Sequence, residues 1–123
     1  MTDRTTPRPL SALEQRVLRK LLSPEFPGAR ELREQVAAAR VTGHWGAESP
    51  SVDLDVSGPA PRAPIADGVL PATGTVTDAS GGLSGELLVW VGDGRLSALE
   101  LTWYGDTAPT ELPDPEDVGV TVQ

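Results

Sequence analysis

The segment Glu86–Tyr104, ELLVWVGDGRLSALELTWY, contains the pattern that decides the fold. It begins with an apolar run, Leu87 to Val91, and continues from Leu96 with alternating apolar and polar residues. Between the two lies Asp93-Gly94, a dipeptide that favours the positive φ angles of a tight turn. The segment therefore predicts a β-hairpin, and its fully apolar first strand, within 83–91, is expected to be buried on both faces.

The sequence is compatible with two registers for this hairpin. A two-residue loop and a three-residue loop with a bulge both fit, and a slip of one residue exchanges the faces of the return strand. The two tryptophans of the hairpin, Trp90 and Trp103, are expected to place at least one ring in the core. An outward ring beside carboxylates would instead indicate a protein contact surface, because tryptophan is frequent among binding hot spots.

Two helices are predicted before the hairpin. Ser11 and Glu14 have the spacing of a capping box, and apolar residues follow at helical intervals until Ser23-Pro24 ends the first helix. A second helix is predicted over about 29–39, with a narrow side of small apolar residues. Phe26-Pro27-Gly28 forms the joint between the helices.

Strand patterns follow from residue 40. Val41 to Trp45 and Ser51 to Val56 predict two strands joined by Gly46–Pro50. The proline-rich residues 57–68 predict a surface loop, and residues 69–77, which include Pro71 and Gly74, predict a broken edge strand.

These elements predict an α+β fold in which two N-terminal helices pack on a sheet of four or five mainly antiparallel strands. Residues 1–9 are expected to be a flexible tail and residues 10–105 a single domain. Residues 106–123, which are rich in acids and proline, are expected to be a C-terminal tail lying on the surface.

Composition excludes several classes of function. The chain contains no cysteine, so disulfides, thiolate metal sites and cysteine nucleophiles are excluded. The net charge is −8, which argues against nucleic acid and anionic membranes as partners. The charge is uneven: residues 1–40 carry eight Arg or Lys and five acids, whereas residues 41–123 carry two and thirteen. No apolar run approaches the length of a membrane span or a secretory signal, so a cytoplasmic location is expected.

Few residues suggest chemistry. His44 is the only histidine, so a metal site would need it together with carboxylates such as Glu48, Asp53 or Asp55, and we expect neither a metal nor a cofactor. Gly81-Gly82-Leu83-Ser84-Gly85 does not match a nucleophile elbow, because a strand pattern and not a helix follows it. Two pairs of carboxylates, Asp53 with Asp55 and Glu86 with Glu100 across the hairpin, are expected to lie on a solvated sheet face rather than in a cleft.

The string DGRLSALE at 93–100, after an apolar strand and before a tail rich in proline and acids, resembles a group of small proteins of unknown function that are common in actinomycete-like bacteria. The resemblance extends to Phe26-Pro27-Gly28, Leu32 and Gln35, and to Ser51–Leu54. It implies a shared fold and no particular activity.

The sequence favours a non-enzymatic interaction module, monomeric or homodimeric, whose acidic half binds a basic protein as toxin-immunity proteins do; this is an analogy at the level of the fold. The candidate binding residues are His44, Trp45, Asp53, Asp55 and Trp103. One alternative is a small-ligand or enzymatic pocket that uses His44 with Asp53 or Glu48. Another is self-association through an edge strand at 69–77.

Overall fold

The computed structural model describes residues 3–123, with side chains from residue 6 onward. Two helices are present, α1 (Ala12–Leu21) and α2 (Ala29–Gln35), and a 3₁₀ turn (Val36–Ala38) extends the second. The eight strands are β1 (Asp3–Pro9), β2 (Ala39–His44), β3 (Val52–Val56), β4 (Gly68–Val69), β5 (Ala72–Thr77), β6 (Leu83–Gly92), β7 (Arg95–Trp103) and β8 (Val118–Val122). A second 3₁₀ turn, Pro115–Asp117, precedes β8.

All eight strands belong to one antiparallel sheet, so the α+β prediction is confirmed and the predicted four or five strands are too few. The order across the sheet is β1-β2-β3-β7-β6-β5-β8, and β4 pairs with β6 beyond the end of β5. The β6–β7 hairpin lies near the centre of this order. The feature that the sequence defines most clearly thus organises the sheet.

Both predicted tails contain strands of the sheet. Residues 3–9 pair with β2, and their two prolines are tolerated because β1 is an edge strand with an irregular register. Val118–Val122 pairs with β5 along its whole length, from Ala72↔Val122 to Val76↔Val118. Neither strand was predicted from the sequence, because the partners of both segments are distant along the chain.

Segment 69–77 was predicted to be a broken edge strand, but most of it lies inside the sheet. β5 lies between β6 and β8, so its backbone is already paired on both sides. Gly74 permits this position: a Cβ atom there would lie 2.7 Å from Leu21 Cδ2 of α1 and 2.9 Å from Val118 Cγ1 of β8. The glycine is thus explained by close packing, and the backbone of β5 is not free to pair with a second copy of the chain.

The hairpin has the two-residue loop. Gly92 is paired with Arg95, and both loop residues have positive φ angles, 54° for Asp93 and 73° for Gly94. A bulge lies farther along β7, because Val91 pairs with Leu96 and Trp90 with Ala98, which leaves Ser97 without a partner. The predicted faces of β7 therefore hold, with Leu99 and Leu101 buried toward the core.

The helices cover one face of the sheet and enclose the core. Residues of α1 that are fully buried, Val17, Leu18 and Leu21, join the inward residues Leu87 and Val89 of β6 in one cluster. The predicted capping box is confirmed, since Ser11 Oγ accepts from the Glu14 amide and Glu14 Oε1 accepts from the Ser11 amide. The second helix ends earlier than predicted, because the chain tightens to a 3₁₀ turn before β2 begins.

Buried Gln35 connects α2 to the hairpin. Its Nε2 donates to the carbonyls of Gly94 and Pro61, both at 2.8 Å, and its Oε1 accepts from the Leu96 amide at 3.0 Å. The side chain has no exposed surface. One amide group therefore fixes the turn, the proline-rich loop and α2 relative to one another.

The opposite face of the sheet has no helix packed on it in the described chain. In β6 the inward residues are buried, whereas Leu88 and Trp90 on the other side are only half-buried. The prediction that this strand is buried on both faces was therefore wrong. Its apolar run places a leucine and a tryptophan on an uncovered surface.

Candidate functional site

The uncovered side of the sheet brings together acids and apolar side chains from three neighbouring strands. Asp53 of β3 is opposite Ala98 of β7, which is opposite Trp90 of β6. In the next rows Leu88 is opposite Glu100, and Glu86 is opposite Thr102. We call this side the open face and define it by six outward residues, Asp53, Asp55, Glu86, Leu88, Trp90 and Glu100.

Two tryptophans donate hydrogen bonds to carboxylates of the open face. Trp90 Nε1 donates to Glu100 Oε1 at 2.9 Å, and Trp45 Nε1 donates to Asp53 Oδ1 at 3.0 Å. Each bond fixes an indole ring and engages one oxygen of a carboxylate. The acids and rings of this surface are thus held in fixed positions by these bonds.

Tyr104 makes a third pair of the same kind. Its hydroxyl donates to Glu86 Oε1 at 2.7 Å. This hydrogen bond raises the pKa of the Tyr104 phenol, because loss of the proton would break the bond and set two negative charges side by side. The bond connects the open face to the end of the sheet, where β7 stops.

Two grooves meet at Trp103, at this end of the sheet. The first, which we call the end groove, has a volume of about 520 Å³ and is lined among others by Asp78, Leu83, Trp103, Tyr104, Pro109 and Glu111. The second, the Trp45 groove, has a volume of about 560 Å³ and is lined among others by Trp45, Ser49, Glu100 and Trp103. Trp103 is 46% exposed and forms a wall of both.

The charged residues that line the two grooves are all acidic. Asp78 and Glu111 line the end groove and Glu100 lines the Trp45 groove, while neither lining contains Arg, Lys or His. Hydrogen bonds from the Ser80 hydroxyl and from the amides of Gly82 and Ser80 lower the pKa of Asp78. Asp78 therefore stays ionised at neutral pH.

His44 lies apart from these grooves. It pairs with Val52 and therefore points to the helical side of the sheet, whereas Asp53 points to the open face. Its Nδ1 is 3.2 Å from the carbonyl oxygen of Ser49, and it lines a separate groove of about 250 Å³ with Glu14 and Glu111. Within residues 6–123 no three His, Asp or Glu side chains are grouped closely enough to hold a metal ion.

The predicted binding residues thus divide into two sets. Trp45, Asp53 and Asp55 share the open face or its margin, and Trp103 lies in the adjoining groove, but His44 lies on the other side. The pairing of His44 with Asp53 that the sequence allowed is contradicted by the β2–β3 register.

Four residues that complete the surface were not among the predicted binding residues, although the sequence did pair Glu86 with Glu100: they are Glu86, Trp90, Glu100 and Tyr104. Their signal was the outward position of an aromatic residue beside acids. That signal could be used only after the structure had shown which face of the sheet is uncovered.

Comparison of the chain with models of protein families, with curated proteins and with solved structures found no match. None of the helices in residues 3–123 is long and apolar enough to cross a membrane. The geometry of the open face and its grooves is therefore the basis for assigning a function.

Proposed function

We propose that this protein is a non-enzymatic interaction module that binds a basic protein partner through its open face. The observation that carries the proposal is the set of aromatic–carboxylate pairs, Trp45 with Asp53, Trp90 with Glu100 and Tyr104 with Glu86, on a sheet face that no helix covers. Apolar and aromatic side chains in such a position are typical of contact surfaces.

The chemistry of these pairs favours protein recognition. An indole ring offers a large apolar contact, and because its rotamer is already fixed by a hydrogen bond, binding costs less conformational entropy. The carboxylates next to it would attract and orient cationic side chains. Tryptophan and arginine are both enriched among hot-spot residues, so this surface suits a partner that presents arginine.

The distribution of cations supports a basic partner. Among the described side chains, none of the four salt bridges involves a carboxylate of the open face. Two arginines point to this side of the sheet: Arg40 is opposite Asp55 at β2, and Arg95 lies at the turn with its Nη1 bonded to the Val56 carbonyl. Glu86 of β6 and Glu100 of β7 lie farther from these arginines, toward the end groove.

The test compares matched charge changes on the two sides of the molecule. Glu86→Gln with Glu100→Gln removes two charges from the open face, and Glu31→Gln with Glu34→Gln removes two from α2. A partner is first captured from lysate on the immobilised wild-type chain and purified, and its affinity for each variant is then measured by calorimetry at about 50 and 300 mM NaCl.

We expect the captured protein to be basic and its affinity to fall at the higher salt concentration. The open-face variant should bind at least about tenfold more weakly, a loss of about 1.4 kcal/mol, while the α2 variant should bind like the wild type. Equal effects of the two variants, or an affinity that ignores salt, would refute the proposal.

The alternative, a ligand or enzyme pocket at His44, has less support. The groove of His44 also contains Glu14, but that carboxylate is already occupied by Arg8 and the Ser11 amide. Because His44 points to the helical side of the sheet and not to the open face, replacing it by Ala is expected to leave binding of the basic partner unchanged. Neutralising a basic partner, as toxin-immunity proteins do, is one role that the open face would serve.

A further inference from the structure

We infer that the end groove binds an arginine side chain of the basic partner, an inference that rests on the proposed function. The groove adjoins the open face through Tyr104, whose ring lines the groove and whose hydroxyl binds Glu86. A partner lying on the open face could thus extend a side chain into the groove.

Several exposed hydrophobic side chains converge on the end groove. Five large hydrophobic side chains are exposed among those described, and three of them line this groove: Leu83 at 61%, Trp103 at 46% and Tyr104 at 56%. Pro109 adds a further apolar contact. An isolated exposed hydrophobic residue needs no explanation, but three that converge on one concave site indicate a ligand with apolar surface.

The charged groups of the groove determine the sign of that ligand. Asp78 and Glu111 line it without any basic residue, and Asp78 accepts three hydrogen bonds at its Oδ1, which leaves its Oδ2 for a ligand. An anion would be repelled. A neutral apolar ligand would remove water from the carboxylates without replacing their hydrogen bonds, which is costly. A cation on an apolar stem satisfies both the walls and the acids.

Arginine fits these requirements better than lysine. Its planar guanidinium can stack on the rings of Trp103 or Tyr104 while its N–H groups donate to a carboxylate. The Tyr104 hydroxyl is already bonded to Glu86, so it does not compete for Asp78 or Glu111. The volume of about 520 Å³ accommodates one such side chain together with the neighbouring backbone.

The experiment uses Nα-acetyl-arginine amide as the probe and the uncharged analogue Nα-acetyl-citrulline amide as its matched control. The chain has three tryptophans, so the indole N–H signals in NMR spectra can be assigned with Trp→Phe variants. We expect the arginine probe to shift the Trp103 signal saturably and to leave Trp45 and Trp90 less affected. The citrulline probe should bind at least about tenfold more weakly.

Asp78→Asn with Glu111→Gln should abolish most of the shift, whereas Glu31→Gln with Glu34→Gln should preserve it. Trp103→Leu provides a second test if the double variant fails to fold, because it removes the ring and keeps the acids. Binding of the arginine probe to this variant, followed through the backbone amide signals of the groove residues, should be several-fold weaker than to the wild type. Equal binding of the two probes, or full binding by the Asp78 and Glu111 variant, would overturn the inference.

Separate outcomes distinguish this inference from the proposed function. If a basic partner binds with the expected dependence on Glu86 and Glu100 but tolerates Asp78→Asn with Glu111→Gln, the proposed function stands and the end groove is not used. If the arginine probe binds but no basic protein does, the groove is a site for free cations and the assignment to a partner's arginine is overturned.

Discussion

Gln35 illustrates how one buried polar residue can fix several loops at once. Its amide bonds the Gly94 and Pro61 carbonyls and the Leu96 amide, and Gly94 O also accepts from the Ala63 amide. Gln35→Leu would leave the Leu96 N–H buried without an acceptor. We expect the free energy of unfolding to fall by about 2 to 4 kcal/mol, measured by urea denaturation.

Gln15→Leu is the matched control for this change, because the same atoms are replaced on α1, where Gln15 is half-buried. It should alter the free energy of unfolding much less. If both variants lost the same stability, the cost would come from helix propensity or solvation and not from the hydrogen bonds of Gln35.

The pKa of Tyr104 provides a direct measure of one aromatic–carboxylate pair, its hydrogen bond to Glu86. Tyr104 is the only tyrosine, so absorbance near 295 nm during an alkaline titration reports its ionisation alone. The hydrogen bond to Glu86 raises its pKa above the ordinary value of about 10. We expect Glu86→Gln to move the titration midpoint back down, because an amide oxygen accepts the bond without a negative charge.

Glu100→Gln is the control in this titration, since it also removes one charge from the open face but has no bond to Tyr104. Its midpoint should stay close to that of the wild type. An identical shift in both variants would show that the general field of the acidic surface, and not the Tyr104–Glu86 contact, determines the pKa.

At the scale of elements, an ion pair joins the edge strand β1 to the helix α1. Arg8 donates to both oxygens of Glu14 at 2.9 and 3.0 Å, and Glu14 also completes the capping box. Burial alone would raise the pKa of Glu14, but the hydrogen bonds from Arg8 and Ser11 outweigh it, so the pKa lies below its ordinary value. The folded protein therefore binds this proton less readily than the unfolded chain.

This difference predicts a pH-dependent contribution to stability. The contribution is complete above the unfolded pKa of about 4.3 and is lost as the pH falls through the lower pKa of the folded state. Glu14→Gln keeps an acceptor for the Ser11 amide and removes the charge. We expect it to be less stable than the wild type at about pH 7, and the difference to shrink progressively as the pH falls below about 4.3, measured by urea denaturation. A constant difference across this range would contradict the assignment.

The elements also show which parts of the fold were accessible from sequence. Asp93-Gly94 and the capping box at Ser11 were predicted correctly because their signals are local, within a few residues. β1 and β8 were missed because a strand containing Pro7 and Pro9, or one that follows a proline-rich segment, is recognised only through partners far along the chain.

The candidate site was predictable only in part for a similar reason. Trp45, Asp53 and Asp55 were selected from strand alternation and charge. At least one of Trp90 and Trp103 was expected in the core, but Trp90 is half-buried on the open face and Trp103 is exposed. An apolar run does not reveal which side of a strand the helices cover. The packing of α1 against Gly74 determines which side of the sheet the helices cover. From the sequence, however, Gly74 had been interpreted as one of the residues that break an edge strand.

At the scale of the whole molecule, the net charge opposes folding and would favour the proposed binding of a basic partner. The net charge of −8 repels itself more in the compact state than in the expanded one. Salt screens this repulsion with a Debye length that falls from about 30 Å at 0.01 M to about 8 Å at 0.15 M. Added NaCl should therefore stabilise the fold, although it weakens the proposed partner complex.

We expect the Tm of the isolated chain to rise by a few degrees, equivalent to about 1 kcal/mol, between about 10 and 300 mM NaCl. Differential scanning calorimetry measures this. Glu86→Gln with Glu100→Gln should show a smaller rise than the wild type because less repulsion remains. A Tm that falls with salt would instead mean that attractive pairs such as Arg8–Glu14 and Arg62–Asp93 dominate the electrostatics of the fold. In that case the acidic surface would not be an electrostatic cost that a basic partner relieves.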